Sequence, residues 1–262
     1  GADHGWVVTV ESQASVKSNS TVSYAPPTIS TIVVTGIDSS MSTNGTSTVD
    51  IGGINFGPVC TNCLTATYGG TDGTDYGTVT CNVVTADVAL VCNTVAGVGA
   101  NHEWIVTLAS QASSKSSAQV SYTAPVITSL AKTGGAGTLL TAGTDTVDVS
   151  GSSFGPLCSG CVNVTYGGGA GTDYGPVTCD VTTADVALLC DTSVGVGINH
   201  SWVVTVGSQA SVKSTATISY TAPAITSVVK TGGAGTLATN GTDTVDIGGT
   251  NFGPLCTGCV TV

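Results

Sequence analysis

Ten cysteines are the residues best suited to chemistry in this 262-residue chain, and their spacing is regular. Cys60, Cys63, Cys81 and Cys92 read C-x2-C-x17-C-x10-C. Cys158, Cys161, Cys179 and Cys190 repeat those intervals, and Cys256 and Cys259 begin them again. Thiols so placed serve as redox centres, zinc ligands or disulfides. A thioredoxin-like C-x2-C is followed by a helix, whereas a strand pattern follows here. A zinc ribbon supplies a second close pair, and C-x10-C is not one. Disulfides are therefore expected within local pairs, Cys60–Cys63, Cys81–Cys92, Cys158–Cys161, Cys179–Cys190 and Cys256–Cys259, with a four-cysteine zinc site as the weaker alternative. Paired cysteines at this density imply an oxidising compartment.

The other reactive side chains form no catalytic pattern. There is no G-x-S-x-G motif and no unpaired cysteine beside a histidine, as nucleophilic catalysis would require. The glycine-rich GGAGT and YGGGAGT segments lack the lysine and following helix of a phosphate loop and read as tight turns. His4, His102 and His200 each stand two positions before a tryptophan, at the entrance to a strand. They read as loop histidines bonded locally rather than as metal ligands. Trp6, Trp104 and Trp202 alternate with valines and read as core rather than as sugar-stacking platforms. The pairs Asp72/Asp75, Asp145/Asp148 and Asp243/Asp246 match no EF-hand spacing and read as solvated turn carboxylates rather than a calcium site. No catalysis, cofactor or metal is expected.

Five N-x-S/T triplets, at Asn19, Asn44, Asn163, Asn199 and Asn240, read as N-glycosylation acceptors. Asn19 and Asn163 fall at outward positions of alternating strands, the other three in loops. Covalent glycans there would help to solubilise a surface with few charges.

All Trp, Phe, His, Tyr, Lys and Cys recur at intervals of 98. The chain is therefore an array of one unit. Residues 26–123 and 124–221 are expected to be full domains, 1–25 the end of a repeat and 222–262 the start of another. The expectation is a window onto a longer array. The rival is a protomer whose partial repeats complete one another head to tail, although that pairing would lack the counterpart of residues 67–98.

Composition narrows the partners. Sixteen acidic residues face five lysines and no arginine, giving a net charge of −11. Nucleic acid binding needs cations to displace phosphate counterions, so nucleic acid is excluded as a partner, and anionic membrane surfaces are disfavoured. No apolar run approaches the length of a membrane span.

Period-two alternation supplies the elements. In DTVDVSG, Val147 and Val149 share one face; in CVNVTYGG, Val162, Val164 and Tyr166 do. VTCDV and VALLC predict a hairpin turning at Thr183-Ala184, with Cys179 opposite Cys190. HSWVVTV points Trp202, Val204 and Val206 inward, and STATISY points Ala216, Ile218 and Tyr220 inward. Glycine and proline punctuate the junctions and no helical period is sustained. About seven short strands in each repeat describe an all-β fold of tandem immunoglobulin-like β-sandwiches.

The motif order P-x-I-T-S, V-D-I-G-G-x-N-F-G-P, V-x-V-x-Y-G-G, the cysteine hairpin, W-V-V-T-V and S-Y-x-A-P resembles the IPT/TIG domain. Asn55-Phe56-Gly57 and Asn251-Phe252-Gly253 are its most specific residues, and the middle copy departs with Ser153-Phe154-Gly155. The resemblance implies an immunoglobulin-like domain with an adhesive, architectural or ligand-presenting role outside the cell. The basic DNA-contacting loops of the family's transcription-factor branch have no counterpart here. The leading expectation is a glycosylated extracellular stalk or filament whose partners are neighbouring copies of the repeat. The alternatives are an adhesin or receptor ectodomain using its sandwich-end loops, and an accessory array beside a secreted carbohydrate-active enzyme.

Overall fold

A computed structural model describes residues 1–35, 39–70, 75–169, 171, 173–233 and 235–255. The described residues contain strands and no helix. In chain order the first strands are β1 (His4–Gly5), β2 (Thr9–Val10), β3 (Gln13–Ala14), β4 (Thr21–Val22), β5 (Thr28–Val34), β6 (Thr48–Ile54), β7 (Cys60–Gly69), β8 (Thr78–Thr85), β9 (Ala89–Asn93), β10 (Glu103–Leu108) and β11 (Gln111–Ala112). There follow β12 (Val126–Lys132), β13 (Thr146–Ser152), β14 (Cys158–Gly167), β15 (Tyr174–Thr183), β16 (Ala187–Asp191), β17 (His200–Val206), β18 (Gln209–Ala210), β19 (Thr217–Ile218), β20 (Ala224–Lys230) and β21 (Val245–Thr250). The chain divides into two compact units, Gly1–Ala124 with Gly207–Gln209, and Pro125–Val206 with Ala210–Val262.

Each unit contains one full immunoglobulin-like β-sandwich. The hydrogen-bonded order in the first is β11-β10-β7-β8-β9-β6-β5, and in the second β12-β13-β16-β15-β14-β17-β18, with β19 added to β17. The ladders are antiparallel, and a parallel bridge between Met41 and Tyr122 ties the β5–β6 connection back toward the end of the repeat; Leu139 and Tyr220 repeat it. The alternation read from sequence matches the burial. Val49 and Ile51 of β6, Leu64, Ala66 and Tyr68 of β7, Leu90 and Cys92 of β9, and Trp104 and Val106 of β10 are all buried. In the second unit Val147, Val149, Val162, Val164, Tyr166, Trp202, Val204 and Val206 are buried, as their period requires.

The N-F-G segment has a backbone cause. Asn55, Ser153 and Asn251 sit at φ of 66°, 60° and 61°, and Gly57, Gly155 and Gly253 at 80°, 84° and 85°. Asparagine tolerates the left-handed region better than most residues, and glycine adopts it freely. The glycine three positions before each phenylalanine is constrained differently. A Cβ at Gly53, Gly151 or Gly249 would collide with a carbonyl of the paired strand and with the Phe56, Phe154 or Phe252 ring. The phenylalanine thus folds back onto a strand that has no side chain at the point of contact.

The structure pairs Cys60 with Cys63, Cys81 with Cys92, Cys158 with Cys161, and Cys179 with Cys190. Cys81 stands directly opposite Cys92 in the β8–β9 ladder, and Cys179 opposite Cys190 in β15–β16. Cys256 and Cys259 lie outside the described residues.

The partial repeat at residues 1–25 corrects the reading of one tryptophan. Trp6 is 64% exposed, although Trp104 and Trp202 are fully buried. Residues 1–25 match 99–123 in sequence, and among the described residues no strand corresponding to β7 pairs beside Trp6. Val8 and Tyr24 are exposed on the same segment.

Replacing Cys179 and Cys190 together by alanine is expected to destabilise the second unit by roughly 3 kcal/mol, the chain-entropy value for a loop of about a dozen residues. Removing Cys158 and Cys161, which close a much shorter loop, is expected to cost about 2 kcal/mol. Denaturant midpoints of the two double variants against the parent measure the difference.

Candidate functional site

The densest cluster of functional-type side chains in each sandwich is aromatic. Tyr68 stacks on Trp104 with ring centroids 4.2 Å apart and planes within 9°, across directly paired positions of β7 and β10. Tyr76 lies on Tyr68 at 5.1 Å. His102 presents its ring edge-on to Tyr68, Tyr76 and Tyr122 at 6.2, 5.2 and 5.3 Å. The second unit repeats the cluster with Trp202, Tyr166, Tyr174, His200 and Tyr220.

The histidines therefore depart from the loop reading. His102 and His200 are buried, and they act as wedges among rings. His200 Nε2 lies 3.1 Å from the Val196 carbonyl, which places the hydrogen on that nitrogen, whereas neither ring nitrogen of His102 has a partner. The indole nitrogens of Trp104 and Trp202 are also unpartnered. Only His4, on the partial repeat, is exposed.

The tyrosine hydroxyls do the polar work of the cluster. Tyr68 and Tyr122 share a hydrogen bond of 2.7 Å; the Tyr68 hydroxyl accepts from Val95 N and the Tyr122 hydroxyl donates to Val95 O. Tyr76 donates to Val98 O and accepts from Val98 N. Tyr166, Tyr220 and Tyr174 hold residues 193–196 in the same manner. Phenols thus supply part of the backbone hydrogen bonding of these loops, beside the bonds that the Gly97 and Gly195 amides donate to the Thr43 and Thr141 carbonyls. Burial holds the Tyr68, Tyr76, Tyr122 and Tyr220 hydroxyls above the usual phenol range.

A second polar device is absent from the expectations above. On β10, Trp104 N donates to Ser116 Oγ while Ser116 N donates to Trp104 O; Val106 N donates to Ser113 Oγ while Ser113 N donates to Val106 O. Ser214 and Ser211 serve Trp202 and Val204 identically, and Ser18 and Ser15 serve Trp6 and Val8. The S-x-x-S spacing within each QAS segment is the pattern that reveals it.

The carboxylates also find partners. Asp145 Oδ1 lies 3.0 Å from Lys132 Nζ, and its other oxygen accepts from Leu140 N. Burial raises the Asp145 pKa, but the Leu140 amide and the Lys132 charge outweigh that and leave it below the usual carboxylate range. Asp243 is lowered by the Ala238 amide and by Lys230, 2.9 Å away. These aspartates are turn braces rather than the solvated groups expected. Asp75 accepts from Gly70 N, and Asp72 lies outside the described residues. Among the described residues no group of three metal-ligating side chains converges.

All five sequon asparagines are exposed. Asn163 stands mid-strand in β14, facing out, and Asn44, Asn199 and Asn240 are in loops. Asn19 lies in the bend before β4 rather than within a strand. The Asn44 side-chain oxygen accepts from the backbone and hydroxyl of Thr46 at 3.0 and 2.7 Å; Asn240 does the same with Thr242 at 3.2 and 2.8 Å. Asn199 sits at the rim of an open groove of about 610 Å³ alongside β12, with Asp148, Thr217 and Ser219.

No protein-family model matches the chain, and no curated protein matches it in sequence. Among solved structures the chain is similar to the plexin A4 extracellular region, at 16% identity and a TM-score of 0.32 over 78% of this chain and 19% of that one. It is similar to invasin, described as a bacterial integrin-binding protein, at 18% identity and a TM-score of 0.30 over 74% of this chain and 42% of that one. It is also similar to SGBP-B from a xyloglucan utilization locus of Bacteroides uniformis, at 17% identity and a TM-score of 0.27 over 82% and 58%. The chain spans about a fifth of the plexin structure's length. Likeness of this degree leaves the functional reading to rest on the chain's own residues.

The raised phenols carry a pH consequence. A tyrosine whose folded pKa exceeds its unfolded value of 10.0 adds stability below that value and loses it as pH rises toward the folded pKa. Unfolding free energy is therefore expected to hold steady up to about pH 10. Above that it should fall by about 1.4 kcal/mol per pH unit for each of Tyr68, Tyr76, Tyr122 and Tyr220 that ionises only in the unfolded chain. Denaturant unfolding between pH 8 and 12 measures this, and Tyr122→Phe should shallow the decline.

Proposed function

We propose that this chain is part of a non-catalytic extracellular stalk or filament built from IPT/TIG-like domains and carrying N-linked glycans. The observation that carries the reading is the repetition of internal structure in the two full repeats. Trp104 opposite Tyr68 and Trp202 opposite Tyr166 occupy the same register, and the tyrosine ties and serine pairs recur with them. An array of near-identical units multiplies length and valency, whereas a catalytic site gains little from being copied. Four disulfides support an oxidising environment outside the cell. The exposure of Asn19, Asn44, Asn163, Asn199 and Asn240 supports their use as glycan acceptors.

The partners proposed are neighbouring copies of the repeat. The domain bounds proposed, 26–123 and 124–221, follow from the 98-residue recurrence.

Electron microscopy of native material tests the assembly. Thin fibres with an axial repeat of about 35–45 Å per domain are expected, given ~3.3 Å per strand residue plus end loops. Discrete compact particles would instead favour the adhesin or receptor reading. Intact mass tests the glycans: masses above that of the bare polypeptide, lowered by an amidase that releases N-glycans, are expected from a eukaryotic source.

A further inference from the structure

Of the eleven asparagines, two, Asn44 and Asn240, are followed by glycine. A backbone amide nitrogen can attack the side-chain carbon of the asparagine before it, and glycine, having no Cβ, hinders that approach least. The turns at these two positions are built alike. Gly45 N donates to Ser42 O at 3.1 Å, and Gly241 N to Ala238 O at 3.3 Å. Both glycines stand at positive φ, 76° and 72°. The asparagine carbonyl is held in each turn. Asn44 Oδ1 accepts from Thr46 N, Thr46 Oγ1 and Ser42 Oγ at 3.0, 2.7 and 2.9 Å, and Asn240 Oδ1 accepts from Thr242 N and Oγ1 at 3.2 and 2.8 Å. Donors aimed at that oxygen draw electrons from Cγ and stabilise the negative charge that builds on the oxygen under attack.

The two turns differ in the cover over the attacking nitrogen. A Cβ on Gly45 would run into the Val95–Ala96 backbone, and the Thr94 and Gly97 amides tie that loop to the Ser47 and Thr43 carbonyls. A Cβ on Gly241 would meet nothing within 4 Å among the described residues, and Asn240, Gly241 and Thr242 are all exposed. The hydrogen bond that the Gly241 amide must release is also the longer one. Asn44 has one donor more, but a polarised carbonyl reacts only when the nitrogen is free to reach it. The middle copy closes the same turn from Gly143 N to Leu140 O, with Ala142 before the glycine and so no side-chain carbonyl to attack.

We propose that Asn240 and, more slowly, Asn44 are sites of spontaneous deamidation through a cyclic imide. The Gly241 amide nitrogen bonds to Asn240 Cγ and gives its proton to hydroxide. The bond from Cγ to Nδ2 breaks, and that nitrogen takes a proton from water and leaves as ammonia. Water then opens the five-membered imide at either carbonyl, giving aspartate or isoaspartate. No oxidant or reductant takes part. Each event adds a negative charge to a chain already at −11, and isoaspartate inserts a methylene into the main chain at the turn before β21 or β6. It also removes the N-G-T acceptor, so a glycan and the imide compete for the same side chain. The chemistry does not rest on the glycan reading, since it proceeds on the bare polypeptide.

The test is incubation of the folded 262-residue chain, prepared without glycans, at mildly alkaline pH. Peptide mapping reads the exchange of NH2 for OH, and enzymatic methylation reads isoaspartate. Asn240 is expected to convert first and Asn44 about tenfold more slowly, because reaction through a transiently opened turn is reduced by the opening equilibrium. Asn19, Asn163 and Asn199 are exposed but followed by serine, valine and histidine, and they should stay intact. Thr242→Val removes the hydroxyl donor and should slow Asn240 several-fold, whereas Thr242→Ser should keep the parent rate. Urea should bring Asn44 level with Asn240. The proposal is overturned if Asn19, Asn163 or Asn199 converts as fast as Asn240, if Asn240 survives in the folded chain and reacts only in urea, or if Thr242→Val leaves the rate unchanged. The glycan reading fails on a separate observation, native material with the mass of the bare polypeptide, which leaves these rates untouched.

Discussion

The stack of tryptophan on tyrosine across β10 and β7 is the contact on which the rest of each sandwich depends. A one-residue slip in that pairing would turn Trp104 and Val106 outward and Ile105 inward, emptying the centre of the core. With the register fixed, Tyr68 points its hydroxyl at Tyr122 and Val95, and the two phenols bond the Val95 amide and carbonyl in a loop whose Thr94 and Gly97 amides donate to the Ser47 and Thr43 carbonyls. The histidine completes the arrangement by filling the space between three rings. Its unpartnered nitrogens are a cost that packing and edge-on aromatic contact must offset.

A chain with five lysines and no arginine has few charges to set on its sheet edges, the usual means of preventing strand-to-strand association, although Lys132 stands on edge strand β12 and Glu103 on β10. Serine adds to that protection. The paired Ser113 and Ser116 bonds cover alternate amides and carbonyls of β10 with side chains and irregular backbone, so that edge offers no continuous ladder to a foreign strand. The same device on residues 1–25 persists although the apolar face beside it is uncovered. It is therefore a local property of the S-x-x-S segment and does not require a finished core.

Much of this was legible in the sequence, and the failures share a cause. Alternation in β13, β14 and β17 gave the buried face of each strand, and the equal distances of Cys179 and Cys190 from their turn gave the cross-strand pair. Those readings use neighbours a few residues apart. His102 was misread because its burial depends on Tyr68, Tyr76 and Tyr122, which a local pattern does not connect to it. Asp145 was read as solvated because its cation, Lys132, lies thirteen positions earlier, on a different strand. Trp6 has the same local pattern as Trp104 and differs only in which strands stand opposite. The sequon asparagines were placed on the exposed surface by alternation and turn chemistry alone, with Asn19 displaced from a strand to a bend.

Repetition this strict also makes the deviations informative. Where three copies agree, as in the phenylalanine, the following glycine and the two serines, the residue serves the fold of one unit and every unit needs it. Where they differ, the fold tolerates the change, and the difference acts on something the units do not share. Asn55, Ser153 and Asn251 all adopt the same left-handed backbone, so the turn accepts either residue type. Asn44 and Asn240 likewise share a turn in which the middle copy has Ala142, so a sequon comes and goes without altering the strands around it. Variation in the core exchanges one apolar side chain for another, as Met41 for Leu139, Leu64 for Val162 and Ala66 for Val164, whereas variation on the surface changes the chemistry a unit presents, as Asn44 against Ala142 does.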